Sequence, residues 1–207
     1  MRLQILALIV LSVACANPYP TLRTVSGSAT FTGTISGQTF SPQDAIFYSA
    51  TATTTADNPN IAMLMEVLLT SNPNACSDAN NQVAHPDASS LRLVAIAGPN
   101  AATTGTFAVS ATNSAACGMF EATDANCVVT NAVTPGVPGT LTLTTNSTTQ
   151  LEGSFSFAMQ GSSGVTGTFQ AGVCNALQPD VAQRMSNIGG GCEFSVTTGA
   201  YAGTCMH

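Results

Sequence analysis

The chain is poor in charge: it contains no lysine and no tryptophan, and charged residues make up only 7% of its 207 positions. Its four cationic residues are scattered arginines, and the net charge is −6, one unit more negative once Arg2 is removed. Without a basic cluster, nucleic-acid binding and a polybasic membrane patch have no electrostatic basis. The surface must therefore be covered by uncharged Thr, Ser, Asn and Gln, as in many exported β proteins.

Histidine is also scarce, with only His85 and His207 in the chain. His85 stands in a His-Pro-Asp loop, but no G-x-S-x-G nucleophile elbow accompanies it, because Gly161-Ser162-Ser163-Gly164 lacks the final glycine in register. A Ser-His-Asp triad is therefore not expected. We predict no catalytic residue and no enzymatic activity.

The sequence also gives little support for a metal site or for a catalytic pair of carboxylates. Zinc is not expected, because no Cys-x-x-Cys pair occurs. Three sets of oxygen ligands suit calcium: Asp57-Asn58, Asp78 with Asn80, and Asp124 with Asn126. The EF-hand spacing fails around them, so turn formation is the default interpretation. Glu66 and Glu152 could serve as a glycosidase pair, but nothing in the sequence places them together. No metal and no cofactor is predicted.

The N-terminus has the outline of a secretory signal. Arg2 is its only charge, Leu3 to Val13 is almost wholly apolar, and Cys15 follows. The apolar run is too short to span a membrane, which takes about 20 residues. We predict a removable signal over residues 1–14.

Two cleavage sites compete. Residues around Cys15 resemble a bacterial lipobox, although Ser12 stands where that pattern prefers Leu. Cleavage before Cys15 would leave a lipid-attached cysteine, with residues 15–24 as anchor and tether, and the absence of Asp after it implies the outer membrane. The alternative is an A-x-A site, with cleavage after Ala16 and a freely secreted protein.

The other cysteines are disulfide candidates, since exported proteins are oxidised. They are Cys76, Cys117, Cys127, Cys174, Cys192 and Cys205. One pairing among many would close local loops with Cys117–Cys127 and Cys192–Cys205 and leave Cys76 for Cys174.

Alternation of apolar and hydroxyl residues dominates residues 25–174 and predicts an all-β domain with an antiparallel sheet. A loose repeat of Gly, then Thr or Ser, then an apolar residue accompanies it. The repeat occurs at Gly33-Thr34-Ile35, Gly105-Thr106-Phe107, Gly139-Thr140-Leu141, Gly153-Ser154-Phe155 and Gly167-Thr168-Phe169. We expect an antiparallel β-sandwich or an up-and-down, meander-type barrel.

Two further segments of the chain have bounds of their own. Ile61 to Leu69 is bounded by breakers on both sides and is interpreted as a strand, with Glu66 on the face opposite Met63 and Met65. Residues 175–207 are expected to form a short helix at Pro179 to Arg184 and a disulfide-closed hairpin packed on the same domain.

Several segments together resemble uncharacterised secreted and outer-membrane lipoproteins of myxobacterial type. These are Gly33 to Ala45, the Asn-rich turn ending in Cys76, Ala122 to Cys127, and Gly167 to Cys174. The resemblance implies a lipidated all-β envelope protein and carries over no catalytic residue. Cys117 and the residues beyond Cys174 depart from the pattern.

The leading functional hypothesis is a non-enzymatic outer-membrane lipoprotein with a structural, adhesive or partner-binding role. Its partners would be the membrane, through the lipid, and an envelope protein or glycan. An alternative is a small-molecule or glycan carrier, with Met63, Met65 and Met159 lining a pocket inside the domain. A secreted hydrolase is the third hypothesis.

Overall fold

The structure, a computed structural model, describes residues 26–51, 63–81, 83, 85–98, 102–109, 115–133, 139–159, 164–179 and 181–182. The predicted signal, Cys15 and most of residues 175–207 lie outside this set. Ten strands run through the described part of the chain. They are β1 (Ser28–Thr32), β2 (Asp44–Thr51), β3 (Met63–Thr70), β4 (Ser89–Ala97), β5 (Gly105–Val109), β6 (Ala116–Thr123), β7 (Val129–Val133), β8 (Gly139–Asn146), β9 (Gln150–Ala158) and β10 (Gly164–Val173).

Two short helical elements accompany the strands. Helix α1 spans Ala75–Asn81, and a 3₁₀-helix spans Asn175–Leu177. Of the helix expected from Pro179 onwards, Pro179, Val181 and Ala182 are described and are helical.

Eight of the strands close into a barrel. The ring runs β10-β2-β3-β4-β6-β5-β8-β9 and returns to β10. All pairs in the ring are antiparallel except β10 with β2 and β5 with β6. The all-β prediction is confirmed, and the domain is a closed barrel. The expected up-and-down, meander connectivity is wrong, because β4 pairs with β6 and the pairs β10–β2 and β5–β6 are parallel. The sandwich is not confirmed.

The two parallel strand pairings are short, and we call them the seams of the barrel. Two residue pairs join β10 to β2, and the single pair Val109 and Ala116 joins β5 to β6. An additional short strand lies beside each seam. β1 pairs with β10 and β7 pairs with β6, so the edges that the seams leave open are occupied.

Apolar side chains fill the barrel interior, and the β1–β2 connection closes one end. Ile35 and Gln38 exchange two backbone hydrogen bonds of 2.9 Å around Ser36 and Gly37. Both turn residues have positive φ, as a two-residue hairpin turn of type I′ requires. The chain then inserts Phe40, whose ring packs edge-on against Phe31 and Phe120.

The Gly-Thr/Ser-apolar repeat has a packing explanation. Gly167 lies opposite Phe155, and Gly153 lies opposite Phe169, on the neighbouring antiparallel strands β9 and β10. A Cβ atom on Gly167 would come within 2.4 Å of the Phe155 ring, and one on Gly153 within 2.8 Å of the Phe169 ring. Glycine therefore makes room for the inward phenylalanine on the neighbouring strand. The Thr or Ser that stands between the glycine and the phenylalanine of each repeat points outward.

The barrel has two kinds of wall. On the open wall (β1, β5, β8, β9 and β10), buried and exposed residues alternate. On the covered wall (β2, β3, β4 and β6), most residues are buried on both faces, and all eight of β6 are buried. A second apolar layer lies outside the covered wall. Its members are Ile46, Leu64, Leu68, Ala75, Cys76, Val94, Cys117, Cys174, Leu177 and Val181.

The disulfide Cys76–Cys174 joins α1 to the end of β10, with an S–S distance of 2.07 Å, and confirms that predicted pair. Cys117 and Cys127 are disulfide-bonded as well. They are not bonded to each other, because Cys117 and Thr123 are about 20 Å apart along β6 at the usual rise per residue, and Cys127 lies in the turn beyond Thr123, with its N–H bonded to the carbonyl oxygen of Asp124. The expected local bridge is therefore wrong. Cys192 and Cys205 lie outside the described residues.

Candidate functional site

The open wall carries an aligned row of hydroxyl groups on its outer face. Strand pairing places one hydroxyl residue of each strand beside the next. The row runs Thr106, Thr142, Ser154, Thr168 and Thr30, on β5, β8, β9, β10 and β1. At about 4.8 Å per strand the row is roughly 19 Å long. On β9 and β10 the alignment accompanies the Gly–Phe packing, because Ser154 and Thr168 are the outward residues between the glycine and the phenylalanine of their repeats.

A second row lies two residues further along each strand. It contains Thr140, Ser156, Thr166 and Thr32, all of them exposed. Side chains two apart on a strand are separated by about 6.7 Å. The two rows together form a regular patch of hydroxyls, which we call the hydroxyl face.

Neighbouring hydroxyls of the first row bond to one another. The Oγ1 atoms of Thr30 and Thr168 are 2.8 Å apart, and those of Thr106 and Thr142 are 3.1 Å apart. The backbone N–H of Thr168 also donates to Thr30 Oγ1 at 3.0 Å. Each hydroxyl pair uses one O–H internally, which leaves the second O–H and several lone pairs directed at solvent. The face can therefore both donate and accept hydrogen bonds.

Glu152 borders the hydroxyl face and is the only charged residue in the five strands of the open wall. Its carboxylate accepts hydrogen bonds from Thr145 Oγ1 at 2.9 Å, from Gln170 Nε2 at 2.8 Å and from Gln150 Nε2. The hydrogen bonds from Thr145 and Gln170 hold the pKa of Glu152 below its ordinary value of 4.5. The carboxylate is thus ionised at neutral pH and fixed in orientation.

Beside Glu152 the surface forms a shallow depression of about 290 Å³. Thr30, Thr168 and Gln170 line it together with Glu152, over Gly153. A ligand on the hydroxyl face would therefore meet an ionised carboxylate at its edge.

Charged residues of the covered wall form a second, buried cluster. Glu66, Arg92 and Glu121 lie on its outer face and are 0%, 2% and 3% exposed. Arg92 Nε lies 3.4 Å from Glu66 Oε1. Glu121 is opposite Ser90 on β4, two residues from Arg92, and so belongs to the same patch. A buried ion pair of this kind keeps its charges compensated and contributes to the structure rather than to chemistry at the surface.

Sequence reasoning missed most of this cluster. It placed Glu66 on the face opposite Met63 and Met65, which is correct, but singled out neither Arg92 nor Glu121. A signal was present, because each of these two residues is a single charge with apolar neighbours on both sides. Glu66 and Glu152 are three strand steps apart in the ring and on different walls, so they do not form a carboxylate pair.

The candidate calcium residues take other roles. Asp124 accepts backbone N–H bonds from Asn126 at 2.8 Å and Val128 at 2.9 Å, which is the turn-forming role expected by default. Asp78 Oδ2 lies 2.7 Å from His85 Nε2. Among the described residues, no group of three His, Cys, Asp or Glu side chains could hold a metal ion. Asp57 and Asn58 lie outside those residues.

A cleft of about 470 Å³ opens at the end of the barrel that Phe40 closes. Its lining includes Gln38 and Thr39 of the β1–β2 connection, Asp87 and Ser89 at the start of β4, Phe120 of β6 and Thr130 of β7. We call it the mouth cleft. It brings together residues that are far apart in the sequence.

Comparison with protein-family models, curated proteins and solved structures finds no match for this chain. Among the described residues, no helix has the length and apolar character needed to cross a membrane. The fold and the geometry of its surfaces therefore carry the functional argument.

Proposed function

We propose that this protein is an exported, non-enzymatic component of the cell envelope that adheres to envelope glycan through its hydroxyl face. The observation that carries the proposal is the aligned pair of hydroxyl rows on the open wall. The proposal retains the sequence-based hypothesis of an adhesive or partner-binding lipoprotein and assigns the binding role to one side of the barrel.

The chemistry of the hydroxyl face favours glycan over protein or nucleic acid. Its five strands contain no Trp, Tyr or Arg, the residue types that dominate protein–protein hot spots. They contain no cation to contact phosphate and only one anion, Glu152. Repeated neutral donors and acceptors match the repeated hydroxyls of a polysaccharide, for which several weak contacts on one chain add to useful avidity.

Attachment to the envelope through Cys15 belongs to the same proposal. A lipid at Cys15 would hold the domain at the outer membrane, and residues 15–24 would be the tether. The intact mass of the protein purified from its own host separates the two cleavage sites. A chain starting at Cys15 with added acyl groups supports the anchored form, whereas a bare chain starting at Asn17 would replace it with a freely secreted form.

Sedimentation with the insoluble envelope fraction of the host tests the hydroxyl face. Thr142→Val with Thr168→Val removes two hydroxyls of the first row and keeps the β-branched shape. Loss of two hydrogen bonds predicts binding weaker by about tenfold or more.

Thr51→Val with Thr149→Val is the matched control, since both threonines are exposed and lie outside the rows. The control pair should bind as the unaltered protein does. Equal binding by the row variant, or no sedimentation of the unaltered protein, contradicts the proposal.

The carrier alternative finds no support inside the barrel. Met65 and Met159 are buried in the main core cluster, and Asn146 Nδ2 donates to the sulfur of Met65 at 3.3 Å. The methionines therefore fill the core, as such residues commonly do. A ligand site for this alternative would have to lie at the mouth of the barrel. No observation in the described residues favours the hydrolase.

A further inference from the structure

We propose that the mouth cleft is a binding site for a neutral saccharide. The site is separate from the hydroxyl face, because it lies at one end of the barrel whereas the rows lie on its side. The mouth of a β-barrel is a common position for ligand sites, and a volume of about 470 Å³ falls within their usual range of about 300–1,000 Å³.

Five separate elements supply the polar groups of the cleft. Gln38 and Thr39 come from the β1–β2 connection, Asp87 from the loop before β4, Ser89 from β4, Thr123 from β6 and Thr130 from β7. Together they offer an amide, hydroxyls and one carboxylate, and Ala88, Phe120 and Ala122 are apolar residues of the same lining. Saccharides present the matching combination of hydroxyl groups and C–H faces.

The groups that would contact the ligand are held in place through their backbones. Gln38 is fixed by its two hydrogen bonds with Ile35. The N–H of Asp87 donates to the carbonyl oxygen of Asp124 at 3.0 Å. The side chains of Gln38, Thr39 and Asp87 are meanwhile exposed, so their hydrogen-bonding groups face the solvent. A ligand would find the backbone at Gln38 and Asp87 already positioned, which lowers part of the entropic cost of binding.

The charge of the cleft selects among small ligands. Within the described part of the chain, no Arg or Lys lines it, so phosphates and acidic sugars would meet only the negative Asp87. One carboxylate is also too few for a firm calcium site, which takes six to eight oxygen ligands. A carboxylate can accept two hydrogen bonds from adjacent sugar hydroxyls, so Asp87 is expected to be the strongest contact.

An NMR titration of the mature protein tests the site. The probes are the methyl glycosides of glucose, galactose, mannose and N-acetylglucosamine, with calcium chloride as a separate probe. We expect at least one glycoside to produce saturable shifts of the Gln38, Thr39, Asp87 and Ser89 amide signals.

Asp87→Asn should weaken that binding by about tenfold, because it replaces a charge-assisted hydrogen bond with a neutral one. Asn tolerates the positive φ of Asp87, so the variant should keep the fold. Gln38→Ala should also weaken binding, and Thr149→Val, at an exposed position outside the cleft and the hydroxyl rows, should leave it unchanged. Saturable shifts with calcium alone, no saturable shift with any glycoside, or binding that survives both Asp87→Asn and Gln38→Ala would overturn the inference. None of these outcomes bears on envelope adhesion by the hydroxyl rows.

Discussion

The two walls of the barrel differ in how many of their faces are buried and in where their charged residues lie. The open wall buries one face and exposes hydroxyls on the other, with Glu152 as its single charge. The covered wall buries both faces and holds Glu66, Arg92 and Glu121 under its second apolar layer. Among the strands of the two walls, charge is therefore concentrated on the wall that is buried on both faces and nearly absent from the wall that faces water.

The difference indicates a division of labour. The covered wall has a disulfide and two apolar layers, which are features that stabilise a fold, and it encloses the ion cluster. The open wall has a regular, uncharged and accessible surface, which suits contact with another molecule. We expect substitutions on the covered wall to change stability, and substitutions on the open wall to change binding.

The largest effect should come from the disulfide outside the covered wall. Replacing Cys76 and Cys174 together with Ala frees a loop with a sequence separation of 98. The free energy of unfolding should fall by about 4–5 kcal/mol on the chain-entropy model. Urea unfolding of the double variant measures this, and a loss below about 1 kcal/mol would show that the bridge contributes little to the covered wall.

The ion cluster should come next. Arg92→Met removes the cation beside the buried Glu66 carboxylate, so the free energy of unfolding should fall by about 3–5 kcal/mol. Adding Glu66→Met and Glu121→Met removes the uncompensated charge and should restore most of the loss. Urea unfolding of the single and triple variants provides the comparison. A triple variant no more stable than Arg92→Met would contradict the account of the cluster.

A smaller effect is expected from glycine on the open wall. A Cβ at Gly167 would lie 2.2 Å from the Thr30 carbonyl oxygen and 2.4 Å from the Phe155 ring, whereas one at Gly164 would meet nothing within 4 Å. Gly167→Ala should therefore cost about 1–3 kcal/mol, and Gly164→Ala on the same strand less than about 0.5 kcal/mol. Thermal unfolding of both variants measures the difference. Similar losses in the two would refute the Gly–Phe packing.

The smallest effect is the pH dependence that Glu152 confers. Hydrogen bonds from Thr145 and Gln170 lower its pKa in the folded protein, so its stabilising contribution is present above the ordinary pKa of 4.5 and is lost as the pH falls through the folded pKa. The difference in melting temperature between the unaltered protein and Glu152→Gln should be small at neutral pH and should shrink further below pH 4.5. A difference that grows in acid would be inconsistent with this sign.

The strands of the open wall could be predicted from the sequence because the patterns that mark them lie within single strands. One buried face produces strict alternation, and the Gly-Thr/Ser-Phe repeat marks β9 and β10 directly. The sequence of the covered wall contains fewer patterns that indicate strands. β4 and β6 are buried on both faces, so their sequences lack alternation, and only β3 was predicted there, from the breakers that bound it.

The candidate sites divide in the same way. Outward hydroxyls on individual strands followed from alternation, but their alignment into rows depends on strand register around a closed barrel. The mouth cleft joins Gln38, Asp87 and Thr130, and no local pattern connects them. The expected Cys117–Cys127 bridge was wrong for a related reason. An extended strand places residues that are close in the sequence far apart in space.

Hydrogen exchange of the mature protein, free and bound to the insoluble envelope fraction of its host, tests the division of labour most directly. We predict that binding slows exchange at backbone amides of β8, β9 and β10 beneath the hydroxyl rows and leaves those of β3 and β4 unchanged. Protection confined to the covered wall, or equal protection of both walls, would contradict the assignment of the open wall as the binding surface.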